Sequence, residues 1–496
     1  MAGGHAPATD SGGTARRPAS RLGQISWALF DWANQPFFTL VTTFIFGPYF
    51  AGDLVAGLQE AQLLKDLGHA PTPAESAQIK DAASAAGQSA LAFTQSAAGI
   101  LLALLSPFLG SMADITGRRK PYILIFQALT AIGCAILWFA APGHAGMVPA
   151  ISFALILATI GAEFSIVFNN AQLPVIVEPE RIGWLSGLGW GLGYTGGLLS
   201  LFVVLAIRDP SILGLAPAGS PPLFGLDPKT FEVERIIGPA SALWLAVFVI
   251  PMFLFTPDGK STGVSPLDAA REGARNLWAT IRKAAHYRNP FLFLIAYMIY
   301  NDGLAAIIAF GGVYAKGIFG WSTVTLGIFG IIITIAAIPG CLAGGKLDDR
   351  IGSRRLVLIT TLGVIIAALG ILSVSASKIL FVIPASPLDP ARGTFGSAQE
   401  LAFMAFALLL GVCMGPMQAG SRTLMGRLAP EGMAGEFYGL FALSGRATAW
   451  MAPTAIAIVS TATETQRWGV AIVIPFLVIG LCLLYFVREE RASAAH

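Results

Sequence analysis

Charge is what this sequence has least of. Asp, Glu, Lys and Arg make up 12% of its 496 residues, about half of the ~25% usual in a water-soluble domain. Hydrophobic residues make up 55%, so a chain that folds in water is excluded: too few polar side chains remain to cover its exterior. The four cysteines, Cys134, Cys341, Cys413 and Cys482, fall in apolar segments without paired spacing, which argues against a disulfide framework or a thiolate metal site. The five histidines lie in tails and loops with no ligand spacing, and there is no Ser/His/Asp or zinc-protease pattern. Enzymatic chemistry and a bound cofactor are therefore not expected. "DGKST" at 258–262 ends like a phosphate-binding loop, but the glycine needed five residues before Gly259 is Leu254, and without it the backbone cradle cannot form. The net charge of +3 comes from scattered loop residues and implies no nucleic-acid partner.

What the chain does have is apolar length. Twelve runs of roughly 20 residues, each enough to cross a hydrocarbon core of about 30 Å, lie near 24–49, 88–109, 121–141, 149–171, 183–207, 238–256, 290–313, 323–344, 356–375, 400–420, 437–460 and 469–487. Water is absent inside a bilayer, so each run must satisfy its own backbone as a helix. The expected fold is all-α and polytopic: twelve transmembrane helices in two six-helix halves. The expected organisation is a tail at 1–22, a bundle at 23–256, an amphipathic linker at 257–289, a second bundle at 290–488 and a tail at 489–496. Residues 51–87 and 208–237 read as long outer loops, the first partly helical. With both termini cytoplasmic, most lysines and arginines, Arg422 and Arg427 among them, fall in cytoplasmic segments, in keeping with the positive-inside rule. The expected location is a bacterial inner (plasma) membrane, with lipid as the surroundings and a monomer as the working unit.

A short frame occurs twice. "GSMADITGRRK" at 110–120 and "GKLDDRIGSRR" at 345–355 share Gly-x3-Asp-x2-Gly followed by arginines: Gly110, Asp114, Gly117, Arg118 and Arg119 in one copy, Gly345, Asp349, Gly352, Arg354 and Arg355 in the other. Both fall on the cytoplasmic turn after the second span of a half. Weaker echoes come in the same order, with "AN" at 33–34 against "YN" at 300–301, and "PERIGWLSG" from Pro179 against "PEGMAGEFYG" from Pro430. Together they indicate a duplicated six-span unit. Glycine permits the tight turn, the acid favours a helix N-terminus, and the arginines anchor at the surface.

The repeated frame resembles the signature loop of the major facilitator superfamily, over essentially the whole chain. The resemblance implies that Asp114 and Asp349 act as latches holding the halves together, with the arginine pairs as anchors or partners; Ser353 interrupts the second copy. "WALFDWANQPF", "FNNAQLPVIVEPERIGWLSGLGWGLGYTGG", "YMIYNDG" and "SRTLMGRLAPEGMAGEFYGLFALSGRATAW" further resemble the branch typified by the vacuolar amino-acid effluxers of fungal autophagy. That resemblance implies efflux and makes an amino acid a candidate cargo.

Four ionisable residues fall inside spans: Asp31, Glu163, Asp302 and Arg446. Each costs about 2.5–3.5 kcal/mol at a helix centre and therefore needs a reason. Three lie on the first or fourth span of a half and one on a fifth, the spans that line the central cavity of a two-half transporter. Three acids against one arginine leave at least one carboxylate unpaired, so the acids Asp31, Glu163 and Asp302 are candidate proton carriers. Asn34, Gln35, Asn169, Asn170, Trp190, Tyr194, Tyr297, Tyr300, Asn301, Gln418 and Arg446 are candidate cavity residues for a small polar solute. The resulting expectation is secondary transport driven by a proton gradient, with Asp31 and Asp302 facing one wet vestibule. A receptor or assembly factor keeping the same fold, and a lipid exporter, are the alternatives.

Overall fold

The computed structural model describes residues 18–217, 219–265, 267–272, 287–388, 393 and 395–489. Part of the expected linker (266 and 273–286) and the extreme tails lie outside the described residues.

The chain is helical wherever the apolar runs predict it. Eleven helices are long and apolar enough to cross a membrane: α1 (Arg21–Leu67), α2 (Pro73–Thr116), α3 (Lys120–Phe139), α4 (Val148–Ile176), α5 (Ile182–Arg208), α6 (Glu232–Phe255), α7 (Arg288–Phe319), α8 (Thr323–Ile351), α9 (Ser353–Ser373), α10 (Ala398–Leu428) and, last in the chain, α13 (Gln466–Tyr485). Between α10 and α13, where the sequence places another span, stand two shorter helices: α11 (Ala434–Ala447) and α12 (Met451–Thr463), separated by a turn at 448–450.

The first outer loop is shorter than its polar composition suggests. α1 runs on through two widened π-type stretches (Phe37–Phe44 and Phe50–Val55) to Leu67. α2 then starts at Pro73, with a capping box between Thr72 and Glu75. A polar helix beyond the bilayer needs no apolar periodicity, which is why its composition reads as a loop. Between α9 and α10, Lys378–Ile379 and Ile383–Pro384 pair as a two-residue antiparallel ribbon.

The second helix of each half packs on the fifth helix of the other: α2 on α11, and α8 on α5. Gly110 makes the first approach possible, since a Cβ there would run into the Gly435 carbonyl; a Cβ on Gly345 would lie 2.7 Å from the Gly183 carbonyl. The leading glycine of the repeated frame thus lets two backbones meet across the halves. The tight-turn role belongs to Gly117 and Gly352, which have positive φ (74° and 96°) at the helix ends.

Candidate functional site

At the signature loops the two halves grip each other reciprocally. Asp114, at the end of α2, accepts hydrogen bonds from the backbone N–H groups of Gly435 (3.0 Å) and Glu436 (2.9 Å) in the first turn of α11. Asp349, near the end of α8, accepts from Gly183 (2.8 Å) and Trp184 (3.0 Å) in the first turn of α5. A carboxylate at a helix N-terminus satisfies orphan donors and meets the positive end of the helix dipole. The sequence suggested that each acid would favour the next helix in the chain. Both instead serve the fifth helix of the opposite half.

The arginines divide differently between the copies. Arg119 donates to Asp114 at 3.0 Å, whereas Arg118 reaches only Asp258, at 4.0 Å, and is largely exposed. In the second copy Arg354 turns to the Tyr485 carbonyl. The guanidinium beside the acids is that of Arg427, from the end of α10: it lies 3.0 Å from Asp348, 2.7 Å from Glu489 and 3.9 Å from Asp349. Two further caps repeat with the duplication. Asp258 accepts from the backbone of Arg119 and Lys120 at the start of α3, and Glu489 from that of Ser353 and Arg354 at the start of α9. The "DG" of the rejected phosphate loop is thus a helix cap.

Deeper in the bundle lies a residue that the sequence reading assigned to the cytoplasm. Arg422 is 4% exposed and sits six residues inside the end of α10, roughly 9 Å from it. Its Nη1 donates to Asp31 Oδ2 (2.8 Å) and to Asn170 (3.4 Å), while Nε and Nη2 donate to the hydroxyl (2.9 Å) and carbonyl (2.6 Å) of Ser186. Its guanidinium lies 5.1 Å from the Trp27 ring centroid and 5.8 Å from that of Trp190, a cation–π setting that partly offsets desolvation. One α10 side chain therefore binds α1, α4 and α5 of the other half. Gly189 leaves the room for it: a Cβ there would stand 2.6 Å from Asp31 Oδ2 and 2.9 Å from Arg422 Nη2. The signal that could have found Arg422 is "APEG" at 429–432, a proline turn marking the true helix end beyond it.

Further along α4, Glu163 pairs with Arg446 of α11. Glu163 is thirteen residues from the end of its helix, roughly 20 Å in, and Arg446 stays 46% exposed. Tyr194 donates to Gln418 at 2.7 Å, again across the halves. Gln35 lies beside Gly193 and Gly197, and Tyr297 stacks on Phe441 at 4.0 Å.

The remaining expected cavity residues are stitches within one half. Asn34 is held by the Phe30 carbonyl and by Gln127, which also reaches Ser165. The backbone carbonyl of Asn169 takes the Trp27 indole, while its buried side-chain amide has no hydrogen-bond partner among the described residues. Tyr300 bonds Ser421, and Asn301 donates to the Gly445 carbonyl.

The expectation of one vestibule shared by Asp31 and Asp302 is corrected here. Asp31 belongs with Arg422. Asp302, 2% exposed, lies in a separate group beside Thr448, and no contact joins the two acids among the described residues. Packing of α7 against the α11–α12 turn seals Asp302, a placement invisible to span counting. Among the described residues no group of His, Cys, Asp and Glu is arranged to hold a metal.

Comparison with known proteins agrees with this architecture. The model of the "Vacuole effluxer Atg22 like" family matches residues 19–496. An uncharacterised major-facilitator-type transporter, YxiO of Bacillus subtilis, is 26% identical over 94% of this chain and 95% of its own length. Autophagy-related protein 22 of Cryptococcus neoformans is 24% identical over 62% of this chain, which spans about half that fungal protein's length. Among solved structures, the proton:xylose symporter XylE superposes with a TM-score of 0.64 at 13% identity, covering 95% of this chain and 97% of its own. A bacterial ferroportin homologue in its outward-facing state superposes with a TM-score of 0.58 at 15% identity, covering 94% and 99%. The chain therefore belongs to the vacuole effluxer Atg22-like family and is a multi-pass membrane protein of the major facilitator superfamily, a superfamily of transporters rather than enzymes.

Proposed function

We propose that this protein is a proton-coupled secondary transporter that moves a small polar metabolite, with amino acids as the first candidates, by alternating access across a bacterial inner membrane. One observation carries the reading. The bonds that tie the halves together, from the signature-loop caps through Asp31–Arg422 to Glu163–Arg446, lie within roughly 20 Å of the signature-loop ends of their helices. No such ties are found among the described residues toward the outer ends. A bundle latched on one side and free on the other is suited to rocking about its middle.

The two mid-membrane pairs supply a coupling chemistry. Asp31 and Glu163 belong to the first half, Arg422 and Arg446 to the second. Each carboxylate faces an arginine across the interface; when the halves separate there, the acid loses that partner, which makes it the candidate proton carrier. Relatives named as vacuole effluxers support export as the direction, and the monomer is the expected working unit.

The test is counterflow and pH-jump uptake in proteoliposomes, with labelled amino acids and other small metabolites. Exchange should be seen for at least one class, driven by an imposed pH gradient. Asp31→Asn and Glu163→Gln should each keep exchange and lose the pH drive. Absence of exchange for every solute that thermally stabilises the purified protein would defeat the transport reading; an unchanged pH drive in both variants would defeat the coupling.

A further inference from the structure

Of the three acids placed inside spans, Asp302 is the one without a basic partner among the described residues. Arg422 is committed to Asp31 and Arg446 to Glu163. No cation among the described residues faces Asp302, and neither of its carboxylate oxygens has a hydrogen bond. It sits fourteen residues into α7, roughly 21 Å from the cytoplasmic end, at 2% exposure. An isolated carboxylate in that position is not stable as a bare anion.

The surroundings are those of an oxygen-ligand site. The side chain facing Asp302 is Thr448, close enough to ease the burial of the acid, yet outside hydrogen-bond geometry; its buried hydroxyl has no partner either. Thr448 opens the turn between α11 and α12, where the regular carbonyl-to-amide ladder is interrupted. Asn301, beside Asp302, donates its amide to the Gly445 carbonyl and so pins α7 to this break. Two carboxylate oxygens and a free hydroxyl are hard, neutral-to-anionic oxygen donors, gathered where no arginine or lysine among the described residues pairs with the acid. Interrupted membrane helices hold alkali ions with such groups.

We propose that Asp302 and Thr448 form a binding site for a monovalent cation, with Na⁺ as the fitting ion, at the broken helix of the second half. A small cation satisfies both carboxylate oxygens and the hydroxyl together, whereas a single proton would satisfy one carboxyl oxygen. The site is distinct from the arginine-paired acids assigned to proton coupling, and its occupancy is measurable without transport, so either reading can fail alone.

The test is the melting temperature of the purified full-length protein in detergent, titrated with NaCl against choline chloride at constant ionic strength and at two pH values, with KCl in parallel and calorimetric titration of Na⁺ as a second readout. Na⁺ should raise the melting temperature saturably, and choline should not. Asp302→Asn should remove the response; Thr448→Ala should weaken Na⁺ binding roughly tenfold, as loss of one supporting oxygen typically does, with Thr448→Ser restoring it. If Asp302→Asn fails to fold, the Thr448 pair decides alone. Equal responses to Na⁺ and choline, an undiminished response in Thr448→Ala, or stabilisation by acid alone without Na⁺ dependence would overturn the site, the last assigning a proton to Asp302.

Discussion

The loop layer and the middle layer of the interface differ in symmetry. At the signature loops each half gives one carboxylate to the other half's fifth helix, and the bonds match almost atom for atom: Asp114 on Gly435 and Glu436, Asp349 on Gly183 and Trp184. In the middle the exchange runs one way. The first half supplies both acids and the second both arginines. The symmetric layer answers a need that both copies share, capping a helix end that would otherwise face its partner with bare N–H groups. The asymmetric layer is where the copies have diverged. The arginines sharpen the contrast even within the loops: Arg119 comes from its own loop, whereas Arg427 is borrowed from α10 because Arg354 is drawn away to Tyr485.

Breaking the middle layer should have the largest effect. Arg422→Ala leaves Asp31 buried and unpaired, which typically costs ~3–5 kcal/mol, so the melting temperature should fall steeply. Arg422→Lys should recover only part of it, because an ammonium cannot fork to Asp31, Asn170 and Ser186 at once. A melting temperature close to that of the unmutated protein would show that the pair does not hold the halves. The loop layer comes next: Asp114→Ala, which strips two backbone donors and Arg119 of their acceptor, should cost about 1–3 kcal/mol. Asp349→Ala should cost less, since Arg427 keeps Asp348 and Glu489. Maleimide labelling of Cys341, buried where α8 meets α5, reads latch opening directly and should speed up in both variants, more so in the first.

Arg446→Gln should sharpen the comparison from the other side. Arg446 is 46% exposed against 5% for Arg422, so the melting temperature should fall less than in Arg422→Ala, yet solute exchange should collapse if this depth is where cargo is held. Parallel loss of stability and exchange would make Arg446 a strut. The smallest effect belongs to Arg118→Ala, whose exposed contact with Asp258 at 4.0 Å should leave both melting and exchange unchanged.

Legibility tracked burial. The repeated frame was readable because glycines, an acid and a basic pair stand at fixed spacing in an apolar chain. Its latch acids, Asp114 and Asp349, sit at the helix ends where the frame puts them. Arg422 was misread because it lies near a helix end among Ser421, Thr423 and Gly426, where a basic residue ordinarily belongs to the loop. Arg427, one residue from that end, is the interfacial residue that Arg422 was taken to be. Asn34 and Asn169 were expected in a cavity because they share spans with charged positions, but Asn34 is taken up by the Phe30 carbonyl and Gln127 and Asn169 is fully buried; which neighbours a side chain meets depends on how each helix is rotated. Asp258 and Glu489 carried no motif at all, since a cap is defined by which helix start comes within reach.

By itself, the sequence determined the solvent, the helical class of the long apolar segments and the repeated frame, because the cost of exposing backbone and charge to hydrocarbon acts on each segment separately. Which acid meets which arginine, which helix start each loop carboxylate caps, and that Asp302 meets none were decided only when two halves packed around a common interface. Those contacts depend on helix rotation and on relative depth across hundreds of residues, and no local pattern in the chain records either.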